Sequence, residues 1–493
     1  MPPTAHPRYR RASGRGPSPF ASCAAALATM AIFGLNATSL PERAAGASAQ
    51  TQLEAPPGAG LQATGEPDGE ASPSQIVVKY AAPGSPADRA VHSARAGAEE
   101  SSETLPSVVR LHRGAQLGAT LAKLRHEKNV VWAVPDYVAR AAATFVPNDP
   151  GTSTADPPGS WQTVQWNFDG EFGVGAPEAW ANVTADGAPG GSRVVVAVLD
   201  TGVAYANRGR YRRSPDFSKY AFVQGYDFID RTPYPNDHNG HGTFVAGTIA
   251  EATNNHYGLT GLAYAARIMP VRVLDGAGEG EASVIAEGVR YAVKHGARII
   301  NMSLEFSSDV KAADIPELIE ALRYAYRHNV LVVAAAGNEG STTIPYPARA
   351  PHVVAVGATT EHGCLASYSN YGRGITLVAP GGGPDADLTG DPNCKPELPS
   401  GRDVFQMTFT GPSPRVFGFP NGYEGTSMAT PHVAATAALI VAAHVLGSKP
   451  TPTQITARLK DTARKLGDPQ DQADYGAGLL DAAAATARIG PGA

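Results

Sequence analysis

The sequence predicts an α/β protein built on a mostly parallel sheet with helices on both faces, preceded by a small α+β module. Two apolar runs without in–out alternation, Val194–Leu199 and Val330–Ala336, carry the first part. A strand lacking alternation is covered on both faces, as in parallel sheets. The third observation is what closes these runs: Asp200-Thr201-Gly202 after one, Gly337-Asn338-Glu339-Gly340 after the other. Ligand sites of open α/β sheets lie beyond the carboxyl ends of the strands.

Composition permits such a fold and excludes others. The chain has 493 residues, 43% hydrophobic and 17% charged, enough to bury a sizeable core. The 54 glycines and 41 prolines point to many turns but show no collagen period. A net charge of −5 argues against a nucleic-acid binder, and three cysteines rule out a four-cysteine zinc site. The charge divides unevenly: +4 over residues 1–49, −1 over 50–140 and −8 over 141–493.

From the amino terminus, Arg8, Arg10, Arg11 and Arg15 precede an apolar run from Phe20 to Leu35, then Ala47-Ser48-Ala49. That order reads as a secretory signal peptide over 1–49, with an uncleaved anchor as the alternative. Cys23 falls inside the signal. Residues 50–74 are rich in Pro, Gly, Ala, Ser and Glu and read as a disordered linker. In 75–140, Gln75–Tyr80 reads as a strand, Leu117–Leu124 as a helix and Val130–Val134 as a second strand closed by Pro135.

In the large domain, 141–493, His241 stands between Gly240 and Gly242, ahead of apolar residues at helical spacing. His238 is the competing imidazole but lacks the flanking glycines. Ser427, in Gly425-Thr426-Ser427-Met428-Ala429-Thr430-Pro431-His432, opens an apolar helix expected to run to Leu446. Pro431 is expected in its first turn, where a missing N–H costs nothing. At a helix N-terminus, free N–H groups and the dipole favour negative charge. A serine nucleophile needs a base, an acid to orient the base, and donors for the oxyanion. Asp200, His241, Asn338 and Ser427 supply these types. A cap or turn role is the bland alternative for each taken alone.

The order Asp…His…Ser is known from subtilisin, and the motifs resemble the subtilisin-like serine proteases closely. The carriers are Val198–Gly202, His241–Gly247, Ala335–Asn338 and Gly425–His432, supported by Tyr368–Gly372, Val378–Gly381 and Tyr475–Asp481. An α/β-hydrolase esterase is excluded, because it needs G-x-S-x-G and the order Ser…Asp…His. The resemblance implies a three-layer subtilisin-like fold over 141–493, with a loop insertion at 381–423, and an inhibitory, folding-assisting propeptide at 75–140. It implies a secreted endopeptidase made as a self-processing zymogen and cut between Arg140 and Trp161. Asp200, His241 and Ser427 would form the triad, and Asn338 with the Ser427 N–H the oxyanion hole. His432 would be structural. A catalytically impaired, peptide-binding relative is the alternative.

The resemblance also places an extended substrate between Gly278-Glu279-Gly280 and Ser303-Leu304-Glu305, matched to two enzyme strands. Ala335, Ala336 and Gly337 would form a pocket wall small enough to admit a large apolar side chain, and Glu339 near the pocket mouth could accept a basic one. Glu305 stands where the family commonly has glycine. The loop 253–259 resembles the family's structural calcium site, with Asp149, Asp216, Thr253, Asn255, Tyr257 and Leu259 as ligands; a polar loop without metal is the alternative. Cys364 and Cys394 favour a disulfide in an extracellular chain, with two free thiols as the alternative. Expected partners are protein or peptide substrates and the chain's own propeptide, with no nucleic acid and a monomeric enzyme.

Overall fold

The computed structural model describes residues 71–81, 93–95, 98–100, 107–112, 115–137, 145–151, 161–467 and 472–488. The signal reading of 1–49 and most of the linker reading of 50–74 lie outside these residues.

The module at 71–137 is an antiparallel sheet carrying one helix. Strands β1 (Ala71–Tyr80), β2 (Ala98–Glu100), β3 (Ser107–Leu111) and β4 (Val130–Tyr137) lie in the order β2–β3–β1–β4. Helix α1 spans Leu117–His126 and buries Leu121 and Leu124 against Ile76, Val78, Val109 and Ala133. Two expectations need correction. β1 begins at Ala71, inside the segment read as linker, because Ala71 pairs through its backbone with Tyr137 and needs no large side chain. Pro135 does not close β4 but sits within it, opposite Ile76. β4 is an edge strand, where a missing N–H is tolerated.

The large domain holds, among the described residues, a seven-stranded sheet. Its strands are β5 (Val195–Asp200), β6 (Tyr226–Asp227), β7 (Arg267–Arg272), β8 (Ile299–Met302), β9 (Leu331–Ala335), β10 (Val353–Thr359) and β11 (Leu377–Pro380). The order is β11–β10–β9–β8–β5–β7–β6 and every pair is parallel. Val196 and Val198 pack on one face with helices α2 (Ala176–Ala185), α3 (His241–Ala250) and α6 (Thr426–Ala442). Ala197 and Leu199 pack on the other with α4 (Ala282–Lys294) and α5 (Pro316–Arg327). Two buried faces are the reason the runs show no alternation. Strand order reverses at β5, so the crevice beyond its carboxyl end is the expected ligand position.

α6 is apolar all round and buried along most of its length, which marks a central helix of a large core. It ends at Ala442 rather than Leu446, and His444 beyond it adopts a left-handed backbone, φ 56°. No helix among the described residues is long and apolar enough to cross a membrane. In the insertion at 381–423, β12 (Thr408–Phe409) and β13 (Phe417–Gly418) form a short hairpin. A disulfide joins Cys394 in this insertion to Cys364.

Candidate active site

Asp200 ends β5 and is fully buried. Its Oδ1 accepts from His241 Nδ1 at 2.8 Å and from the Thr201 N–H at 2.7 Å. His241 is the first residue of α3, and 26% of its side chain is exposed. A Cβ on Gly242 would lie 2.1 Å from the Gly202 carbonyl oxygen, so only glycine lets α3 approach the end of β5 this closely.

The turn presenting His241 is built on Asp237, which sequence reasoning passed over for its neighbour His238. Buried Asp237 accepts from Thr201 Oγ1, the N–H groups of Asn239, Gly240 and Thr243, and Thr243 Oγ1. His238 faces away, bonded to Tyr211 Oη at 2.7 Å and stacked on that ring.

Burial pushes the His241 imidazole down, but the charge and hydrogen bond of Asp200 outweigh it and hold it above its ordinary value. A base must be neutral to accept a proton. Hence kcat/KM is expected to fall as pH drops through a midpoint above 6.5, measurable in a pH–rate profile. The stabilising ion pair runs the other way: it is complete below pH 6.5 and lost as pH rises through the folded-state value.

Ser427 is the second residue of α6, so its N–H has no intrahelical acceptor. Its Oγ donates to the Ser303 carbonyl at 3.3 Å. Pro431 is not in the first turn as expected; it lies deeper, inside the helix. Its missing N–H frees the Ser427 carbonyl, which accepts instead from Ser303 Oγ at 2.8 Å. The proline thereby lets the nucleophile-bearing turn be tied to the end of β8.

Asn338 follows β9 across the groove. Its Oδ1 accepts from the Thr426 N–H (2.8 Å) and Thr426 Oγ1 (3.0 Å), leaving Nδ2 to point elsewhere. Thr426 Oγ1 also accepts from the Gly337 N–H. Asn370, part of the Tyr368–Gly372 motif, is buried and spans this loop, bonding Ala336, Glu339, Ser341 and Thr343. His432 is buried between the Met428 carbonyl and Asn167, and burial lowers it to about 4. It is neutral and structural.

A groove of about 550 Å³ brings together Thr201, His241, Ser427, Gly278–Gly280 and Ser303–Glu305. Both flanking segments lie outside the sheet: β8 ends at Met302, and 278–280 follow a turn at Asp275. The segments have no strand partner across the groove. Ala335 and Ala336 are buried. Carboxyl groups converge over Gly337. A Cβ built on Gly337 would meet Glu305 Oε2 at 2.5 Å and Glu339 Oε2 at 2.8 Å.

The loop Thr253–Leu259 wraps two buried carboxylates. Asp149 accepts from the N–H groups of Asn254 and Asn255; Asp216 accepts from Asn255 Nδ2 and the Leu259 N–H. Tyr257 donates its N–H to Asn255 Oδ1. Burial pushes Asp149 up and Asp216 up to about 8. Glu251 is buried beside them, and burial and then the charge of Asp216 push it well above its ordinary value. Asp227, Asp230 and His238 form a separate group, in which the buried Arg272 guanidinium pairs with both carboxylates.

Residues 191–478 match the family model described as Peptidase_S8, the subtilase family. The chain is 38% identical to Subtilisin Savinase of Lederbergia lenta over 296 residues, 60% of this chain and 91% of that protein. It is equally identical to an alkaline protease of Shouchella clausii, over 65% of that protein. Among solved structures, a protease of Pseudoalteromonas arctica PAMC 21717 aligns with TM-score 0.54 and 32% identity, over 69% of this chain and 99% of that one. The chain therefore belongs to the subtilase family, peptidase S8, and is a subtilisin-like serine endopeptidase.

Proposed function

We propose that the enzyme cleaves peptide bonds through an acyl-enzyme on Ser427, and that it is secreted as a self-processing zymogen. The observation that carries the chemistry is the buried Asp200–His241 hydrogen bond opening onto the groove that also holds Ser427. Ser427 Oγ attacks the scissile carbonyl as its proton passes to His241 Nε2. The oxyanion is stabilised by the Ser427 N–H and Asn338 Nδ2. His241 then gives the proton to the leaving amine, and water repeats the sequence on the ester. Asp200 fixes the tautomer and stabilises the imidazolium.

The Arg-rich, apolar and small-residue order at 1–49 supports export, and the compact module at 71–137 supports a propeptide that covers the groove until cut. A serine-directed fluorophosphonate tests the chemistry: the mature protein is labelled on Ser427, whereas a catalytically impaired relative takes no label. Mass spectrometry tests the zymogen: secreted wild-type protein starts between Arg140 and Trp161, and Ser427→Ala protein retains the module. A Ser427→Ala protein processed in pure form overturns self-processing.

The same reading gives the Thr253–Leu259 loop a structural calcium ion. Asp149, Asp216 and Asn255 would contribute side chains and Thr253, Tyr257 and Leu259 carbonyl oxygens, an all-oxygen set suited to a hard cation. Support comes from the buried carboxyl of Glu251 beside Asp216 and Asp149: burial pushes all three up, and a bound cation would relieve that cost by stabilising the carboxylates. The ion would supply charge neutralisation and close the loop. Chelation is expected to remove about 3 kcal/mol if calcium was held at a hundredfold excess over Kd, read as a Tm lower by several degrees. Asp216→Ala abolishes the chelator's effect; an equal Tm with and without chelator removes the ion from the reading.

A further inference from the structure

The carboxyl groups over Gly337 come from two chain segments. Glu305 reaches across from the end of β8, with Oε1 3.4 Å from Asn338 Nδ2 and Oε2 buried without a hydrogen-bond partner. Glu339 reaches the same point from beyond β9, its Oε2 held by Asn370 Nδ2 at 2.6 Å. Among the described residues, no Lys or Arg forms an ion pair with either glutamate. Two converging carboxyls without a counter-charge cannot both ionise cheaply. Burial first, and then the charge of Glu339, push Glu305 up to about 7.

The position of this pair relative to the chemistry follows from Asn338. A scissile carbonyl seated between Ser427 Oγ and Asn338 Nδ2 belongs to the residue immediately before the cleaved bond. Glu305 touches that same Nδ2, so that residue's side chain is the one beside the pair. An uncharged side chain leaves the carboxyls unneutralised there. A Lys or Arg side chain supplies the missing counter-charge and gains charge-assisted hydrogen bonds to both.

We propose that Glu305 and Glu339 together form the acceptor for a cationic side chain on the residue before the scissile bond, making this endopeptidase selective for Lys or Arg there. The proposal rests on Ser427 and Asn338 acting as described above. It has a second consequence. A cation draws the Glu305 carboxyl off Asn338 Nδ2 and releases that donor to the oxyanion, so selectivity appears in kcat as well as in KM.

The test uses the mature wild-type enzyme with two fluorogenic peptides that differ only in Lys or Phe before the cleaved bond. The Lys:Phe ratio of kcat/KM is expected to exceed ten. Glu305→Gln lowers that ratio about ten- to a hundred-fold, the span of one lost charge-assisted hydrogen bond, and Glu339→Gln lowers it less. The ratio is taken within one preparation, so partial misfolding of a variant cancels. A wild-type enzyme that takes the fluorophosphonate but prefers Phe overturns the proposal and leaves the catalytic reading intact. So does a Glu305→Gln ratio equal to wild type. A wild-type enzyme that neither labels nor cleaves either peptide overturns the catalytic reading, and the proposal with it.

Discussion

Ser427→Ala is expected to lower kcat by about 10⁶, His241→Ala by about as much, and the double variant by no more than either single one; these sizes are known for subtilisin itself. The arrangement in this chain explains the non-additivity. His241 has one task, to accept and return the Ser427 proton, and without the hydroxyl there is no proton to move. Asp200 stands one bond further back, so Asp200→Ala is expected to cost less, about 10⁴. The remaining activity, about 10³–10⁴ above water, comes from the oxyanion donors and the groove, which all three variants retain. Single-turnover kinetics on one peptide, with the double variant beside the singles, checks the set. Losses that multiply would mean that Ser427 and His241 do not act as one unit.

What the sequence disclosed of this site was its chemistry and its order along the chain. Asp200, His241, Asn338 and Ser427 each sit where a local pattern changes: an apolar run ends, or a helix starts. The sheet was legible for the same reason, since burial on both faces removes alternation from β5 and β9. The supports were not legible, because their partners are remote. Asp237 matters through bonds to Thr201, thirty-six positions away, as well as to its neighbours. Thr426 reads as a helix-start residue, and only the fold brings Asn338 to it across eighty-eight positions. The depth of Pro431 in α6 is not legible, because helix register cannot be counted until the first helical residue is known. Strands β2 and β3 of the leading module are short and carry little periodicity. Glu305 was noticed as a departure, but the direction of its side chain, toward Gly337 and Asn338, is a property of the packed groove.

Asn338→Ala is expected to lower kcat about 10²–10³-fold with little change in KM, again the size known for removal of this donor in subtilisin. The split follows from where the amide points. Nδ2 meets oxygen that becomes negative only as the tetrahedral species forms, so the ground state loses almost nothing. Its aim depends on Thr426, which donates to Oδ1 through both N–H and Oγ1. Thr426→Val keeps the N–H bond and removes the hydroxyl, and also strips the Gly337 N–H of its acceptor. Its kcat is therefore expected to fall about tenfold, the size of one neutral hydrogen bond. In the Asn338→Ala background the same change should cost kcat almost nothing, because there is no amide left to aim. A thermodynamic cycle over the four proteins, with kcat and KM measured separately, reads this coupling directly. If Thr426→Val is equally harmful in both backgrounds, Thr426 acts on the fold of the loop and not through Asn338.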